Sequence, residues 1–92
     1  MTDKYKIFLV SDSTGETLDR IFSALQSQFP NFEYDKKKFV FIRTEQQIDR
    51  IVKECQGLNN AIILYTIVES KLAKYIADKS DKTNVPCFGV LG

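Results

Sequence analysis

The sequence predicts an α/β fold, a three-layer parallel sheet of about four strands in the order 2-1-3-4 with helices on both faces. Two observations lead there. Four short runs of β-forming apolar residues punctuate the chain, and between them apolar residues recur with helical spacing. Strands that alternate with helices imply right-handed crossovers and hence a parallel sheet covered on both faces. The length of 92 residues fits a single domain over residues 1–92, Rossmann-like in layout.

The first strand is Tyr5 to Val10, near-continuously apolar as a strand buried on both faces must be. Ser11-Asp-Ser-Thr-Gly15 interrupts that run. Leu18, Ile21, Phe22, Leu25 and Phe29 then trace one helical stripe that stops before Pro30. Ser13 and Glu16 have the spacing of a capping box, so this helix is expected to begin there.

Phe32 and Tyr34 alternate with polar residues, and Lys36, Lys37 and Lys38 read as a solvated turn. Phe39 to Ile42 then reads as the second buried strand. A hairpin here has no Asn-Gly or Asp-Gly turn to support it. Thr44 and Gln47 form another capping-box pattern, followed by Ile48, Ile51, Val52 and Cys55 on one helical face and Gly57 at its end. Ala61 to Thr66 is the third strand. Leu72, Tyr75, Ile76 and Lys79 trace a third helix from about Ser70, with a polar loop expected from Asp78 to Asn84. Val85 to Leu91 reads as the fourth strand, with Pro86 near its start, where a missing N–H costs least.

Thirteen basic and twelve acidic side chains leave a net charge of +1, too little for a nucleic-acid footprint. The chain has no histidine, and Cys55 and Cys87 lack CxxC spacing, so zinc binding and histidine-based acid/base catalysis are both disfavoured. The apolar run Ile7 to Val10 is too short for a signal-peptide core, which makes the cytoplasm the expected compartment and a membrane role unexpected. Phe29, Phe32, Tyr34, Phe39, Phe41 and Tyr65 read as core and sheet-packing residues, because no basic residues interleave them into a base-stacking platform.

In strand order 2-1-3-4 the topological switch point lies between the first and third strands, and a small ligand is expected in the crevice there. Its lips are Ser11 to Glu16 and Thr66 to Ser70. The segment Ser11-Asp-Ser-Thr-Gly-Glu-Thr17 offers four hydroxyls, two carboxylates, a glycine and a helix amino terminus. It has neither the lysine of a P-loop nor the three glycines of a dinucleotide fingerprint, and Asp12 and Glu16 would repel a bare phosphate. Ser13, Gly15 and Glu16 could do no more than turn the chain and cap the helix, a role that does not require Asp12. The ligand-binding candidates are therefore Ser11, Asp12, Ser13, Thr14, Gly15, Glu16 and Thr66, with Arg43 as an anion clamp. Glu69 either completes that pocket or faces the dipole of its own helix. Asp12 is the one candidate for a catalytic role, and no metal site is expected.

The run Ile7-Phe-Leu-Val-Ser-Asp-Ser-Thr-Gly-Glu-Thr17 resembles the amino-terminal signature of the regulatory proteins of phosphoenolpyruvate synthase and pyruvate, phosphate dikinase. Ser27-Gln-Phe-Pro30, the strand ending near Arg43-Thr-Glu45 and Leu64-Tyr-Thr-Ile-Val68 are similar to that family in order and spacing. The resemblance implies a bifunctional enzyme. It would be an ADP-dependent serine/threonine kinase that inactivates the dikinase or synthase, and a phosphate-dependent phosphotransferase that reverses this and releases pyrophosphate. It further implies ADP and phosphate as cofactors, with magnesium alongside, and the target enzyme as partner. The family's nucleotide loop, G-V-S-R-x-x-K-T, belongs to a downstream domain and has no match here. The chain is thus expected to be an amino-terminal fragment, inactive alone, that partners the missing C-terminal domain. A fourth strand with no covering helix and an apolar end agree with this expectation.

Two other readings compete. A strand followed by Asp-Ser-Thr also resembles the opening of bacterial fatty-acid-binding proteins, although these need a second domain to enclose an acyl chain and Glu16 fits their pattern poorly. A non-catalytic interaction domain, docking through helix faces or the fourth-strand edge, is the third.

Overall fold

The apolar run at the start of the chain becomes the centre of the sheet. The structure, a computed structural model, describes residues 4–31 and 33–90, so the expectations placed on Phe32 and Leu91 lie outside the described residues. In order, the elements are β1 (Tyr5–Ser11), α1 (Glu16–Gln28), β2 (Tyr34–Phe39), α2 (Glu45–Gln56), β3 (Ala61–Thr66), α3 (Ser70–Lys82) and β4 (Cys87–Gly89). The strands pair in the order β2-β1-β3-β4, and every pairing is parallel. The predicted architecture and strand order are both observed.

Alternation along β1 explains its continuous apolar character. Phe8 and Val10 point to one face, where they pack with Ile63 of β3, Ile48, Ile51 and Val52 of α2, and Ile76 of α3. Ile7 and Leu9 point to the other, against Leu18 and Phe22 of α1. These four residues of β1 are all buried, as a central strand covered on both sides requires.

α2 forms as its sequence predicts. The Gln47 N–H donates to Thr44 Oγ1 at 3.2 Å, and the Thr44 N–H donates to Gln47 Oε1 at 3.0 Å, a complete capping box. Ile48, Ile51, Val52 and Cys55 are its buried stripe, and Gly57 is its C-cap. Thr44→Ala should lower stability by about 1 kcal/mol, and Thr44→Ser should leave it nearly unchanged, both read from urea unfolding midpoints. Burial, reinforced by the Glu54 carboxylate and Cys87, pushes the Cys55 thiol up to about 12, so this cysteine is an inert core residue.

The second strand is corrected. It runs Tyr34–Phe39, so the lysines read as a turn lie inside it, with Lys36, Lys37 and Lys38 in register with Ile7, Phe8 and Leu9. An edge strand can expose its side chains, which erases the apolar signature of a buried strand. Two of the lysines lie over aromatic rings, Lys36 Nζ 5.6 Å from the ring centroid of Phe22 on α1 and Lys37 Nζ 5.4 Å from that of Phe39 on its own strand. Lys37 pairs with Glu54 at 2.7 Å and Lys38 with Asp19 at 2.8 Å, and charges on this edge oppose edge-to-edge association. Phe39 ends the strand, and residues 40–43 form the loop that follows.

Three further expectations change. α3 continues through Lys82, because Ser80 extends the buried stripe of Ile76 by one turn while Asp78, Asp81 and Lys82 form the solvated face. The chain then turns at Asn84, φ 60°, and the Val85 N–H closes the end on the Ser80 carbonyl at 2.9 Å. β4 is only Cys87–Gly89, although Pro86 still contributes its carbonyl to the Ile63 N–H. Phe29 and Phe41 are more than half exposed and are not the core residues the sequence predicts. Phe29 sits past the end of α1, and Phe41 sits in the loop after β2 rather than within it.

Candidate functional site

Three loops meet at the carboxyl edge of the sheet, following β1, β2 and β3. Ser11, fully buried, ends β1 and ties two of them together: its Oγ accepts from the Ser13 N–H at 3.1 Å and from Thr66 Oγ1 at 3.3 Å. Backbone bonds add the third loop, from the Ile42 N–H to the Ser11 carbonyl (3.1 Å) and from the Phe41 N–H to the Ser13 carbonyl (3.0 Å). The switch-point placement of Ser11 to Glu16 opposite Thr66 to Ser70 is observed, and the loop carrying Arg43 joins them.

Asp12 bridges the two lips. Its backbone N–H reaches the Thr66 carbonyl at 3.4 Å, and its Oδ2 accepts from the N–H groups of Val68 (2.8 Å) and Glu69 (3.2 Å). The carboxylate thus does structural work that the sequence left unassigned, and a carboxylate held by two amides is a strong, charge-assisted acceptor. Arg43 donates through Nη1 to the carbonyls of Asp12 and, at 3.1 Å, of Ile42, while its guanidinium lies over the Phe41 ring, 5.9 Å from the centroid. Phe41 takes a left-handed φ of 54°, uncommon for an aromatic residue, at the tip that presents Arg43.

The capping box expected from Ser13 and Glu16 does not form. The N-cap of α1 is Gly15, at φ 83°, with no side-chain cap. Ser13 lies two residues earlier, with its N–H and carbonyl engaged by Ser11 and Phe41. The Glu16 N–H has only a long 3.5 Å contact with Thr14 Oγ1. α1 therefore opens onto the edge with its first amides available and with the exposed side chains of Ser13 and Thr14 beside them. Glu16 is exposed on the same first turn. α2 and α3 differ, since Thr44 caps one and Glu69 the other, the latter accepting the Leu72 N–H at 2.7 Å. Glu69 thus serves its own helix.

Gly15 is required here on two counts. Its φ lies in the left-handed region, and an added Cβ would stand 3.2 Å from Val40 Cγ1. Gly15→Ala should cost about 1–2 kcal/mol in thermal or urea unfolding and displace loop 40–43, seen as amide chemical-shift changes at Phe41 and Ile42.

The structure thus brings together Ser11, Asp12, Ser13, Thr14, Gly15, Glu16, Arg43 and Thr66. Sequence reasoning missed Phe41, whose left-handed conformation has no sequence signature outside glycine and asparagine. Among the described residues, no three metal-ligating side chains cluster, and no helix is long and apolar enough to cross a membrane.

The profile of the kinase/pyrophosphorylase family matches residues 7–92, a span that contains all three loops. The chain belongs to that family. It is 54% identical over 92 residues to a protein of Pelagibacter ubique (strain HTCC1062) named as a pyruvate, phosphate dikinase regulatory protein, covering all of this chain and 34% of the relative. Proteins of the same name from Halothermothrix orenii (34% identical over 92 residues, all of this chain and 34% of the relative) and Alkaliphilus oremlandii (34% over 85 residues, 92% and 30%) are also similar. The chain spans about a third of the length of these curated relatives. The resemblance carried by Ile7 to Thr17 is thereby one of membership.

Proposed function

We propose that this domain forms one wall of the phosphoryl-transfer site of a bifunctional regulator of pyruvate, phosphate dikinase or phosphoenolpyruvate synthase. The proposed enzyme acts in the cytoplasm as an ADP-dependent serine/threonine kinase and as a phosphate-dependent phosphotransferase that reverses the modification. The observation that carries this reading is the convergence of Arg43, the uncapped start of α1 and the Ser13 and Thr14 hydroxyls on one edge of the sheet. A guanidinium, free helix amides and hydroxyls are the donor set that a phosphoryl group needs. Family membership and the names of the relatives support the regulatory role.

The donor set fits the phosphate portion of ADP or inorganic phosphate, with Arg43, Ser13, Thr14 and the Glu16 amide as its holders. Once bound, such a group supplies the phosphoryl unit in one direction and its acceptor in the other. The chain's own contribution is to hold the group. Arg43 is fixed by two carbonyls and an aromatic face, so its charge needs no reorganisation as negative charge shifts during transfer. Asp12 keeps the two lips in register, and its carboxylate faces the amides of Val68 and Glu69. A bound magnesium ion would offset the repulsion expected from Glu16.

The test is a chimera in which this chain replaces the matching third of the Pelagibacter ubique relative, assayed with the dikinase. ADP labelled in its β-phosphate is expected to transfer label to a serine or threonine of the dikinase, leaving AMP, and added phosphate is expected to release the label as pyrophosphate. A folded chimera that binds the dikinase yet transfers nothing in either direction would remove the proposal.

A further inference from the structure

We propose that the groove between α1 and the β3–β4 half of the sheet is the docking face for an amphipathic helix, one supplied by the polypeptide that the longer relatives carry outside the matched third. A parallel sheet is normally covered on both faces. Here α2 and α3 cover one face, and Ala61 and Ile63 of β3, which point to it, are buried. The opposite face carries α1. There Ile62 and Leu64 of the same strand are only half-buried, Phe88 of β4 is 55% exposed, and Leu25 and Phe29 at the far end of α1 are 42% and 59% exposed. Together they line an open groove of about 350 Å³ whose walls, among the described residues, are apolar apart from Gln26.

The dimensions select a helix. Four strands at roughly 4.8 Å spacing make a sheet about 14 Å wide between its outer strand axes, and a helix about 10 Å across covers about two of them. α1 packs on β1 and β3, the central pair, which leaves the β4 side of this face open for one more helix, its axis at the usual 8–10 Å from that of α1. Among the described residues no charged one lines the groove, which requires an uncharged stripe on the docked element. About two thirds of each relative lies outside the matched segment, so the longer proteins have the polypeptide to supply it. The groove lies on a sheet face and the candidate site at the carboxyl edge, so this proposal stands independently of the functional one.

The test uses Leu25→Cys and Phe88→Cys, each in a Cys87→Ser background, in the 92-residue chain and in the chimera with the Pelagibacter ubique relative. Maleimide labelling is expected to be at least 10-fold slower in the chimera at both positions, while Lys36→Cys on the β2 edge labels equally in the two. Equal rates at Leu25→Cys and Phe88→Cys overturn the proposal. Protection already present in the 92-residue chain, with sedimentation as a dimer, also overturns it and makes a second copy the occupant. Hydrogen exchange on the unmodified relative, where no variant can perturb folding, gives an independent reading. Slower exchange in the segment aligned with Leu25 to Phe29 than in the 92-residue chain supports docking, and equal exchange rejects it.

Discussion

Arg43→Ala in the chimera should lower both the ADP-dependent labelling of the dikinase and its phosphate-dependent reversal by about 100-fold, the usual loss when one preorganised donor to developing charge is removed. Stability should barely change, because the Arg43 side chain is exposed and serves mainly the carbonyls of Asp12 and Ile42. Arg43→Lys should recover only part of the rate. An ammonium keeps the charge but loses the guanidinium's place over the Phe41 ring and its planar set of donors. Steady-state assays beside urea unfolding of each variant separate the two effects, and rates within twofold of the parent for Arg43→Ala would show that the guanidinium does not face the reaction.

Asp12→Ala is the second large expected effect. It removes the acceptor from the Val68 and Glu69 amides, which then turn to water at this open edge, a loss of about 1–2 kcal/mol in stability. The lips around Ser11 and Thr66 lose their register, and a misplacement of about 1 Å at a transfer site can cost on the order of 100-fold in rate. Asp12→Asn decides between two roles for this residue. An asparagine oxygen can still accept both amides, so if Asp12 is a positioning residue the variant stays within a few-fold of the parent. If its charge takes part in proton transfer, Asn and Ala fail alike.

Much of the fold was legible in the sequence because burial leaves a pattern. Ile7 to Val10 and Ala61 to Thr66 are apolar on both faces, and Ile48 to Cys55 repeats at helical spacing behind a real capping box. β2 was illegible because it is an edge strand, and Lys36 to Lys38 look like a turn until β1 is present to pair with them. The end of α3 was hidden because Ser80 is a buried residue of small polar type, so its stripe shows no apolar period. At the candidate site, the turn and its opposite lip followed from strand order alone. What did not follow was how the residues divide the work. Ser13 matched a capping pattern by spacing, yet Gly15 takes the cap by backbone conformation. Asp12 bonds to amides 56 and 57 residues away, a pairing that exists only once β1 and β3 are neighbours.

The most direct test of the central claim is an NMR titration of the 92-residue chain with pyrophosphate, phosphate and ADP, each with magnesium, following backbone amides. Shifts that saturate and concentrate at Ser13 to Glu16, Arg43 and Thr66 to Glu69 are the predicted result, with the uncapped Glu16 amide among the largest. An unchanged spectrum at millimolar ligand, or shifts centred elsewhere on the domain, would contradict the assignment of this edge to phosphoryl transfer.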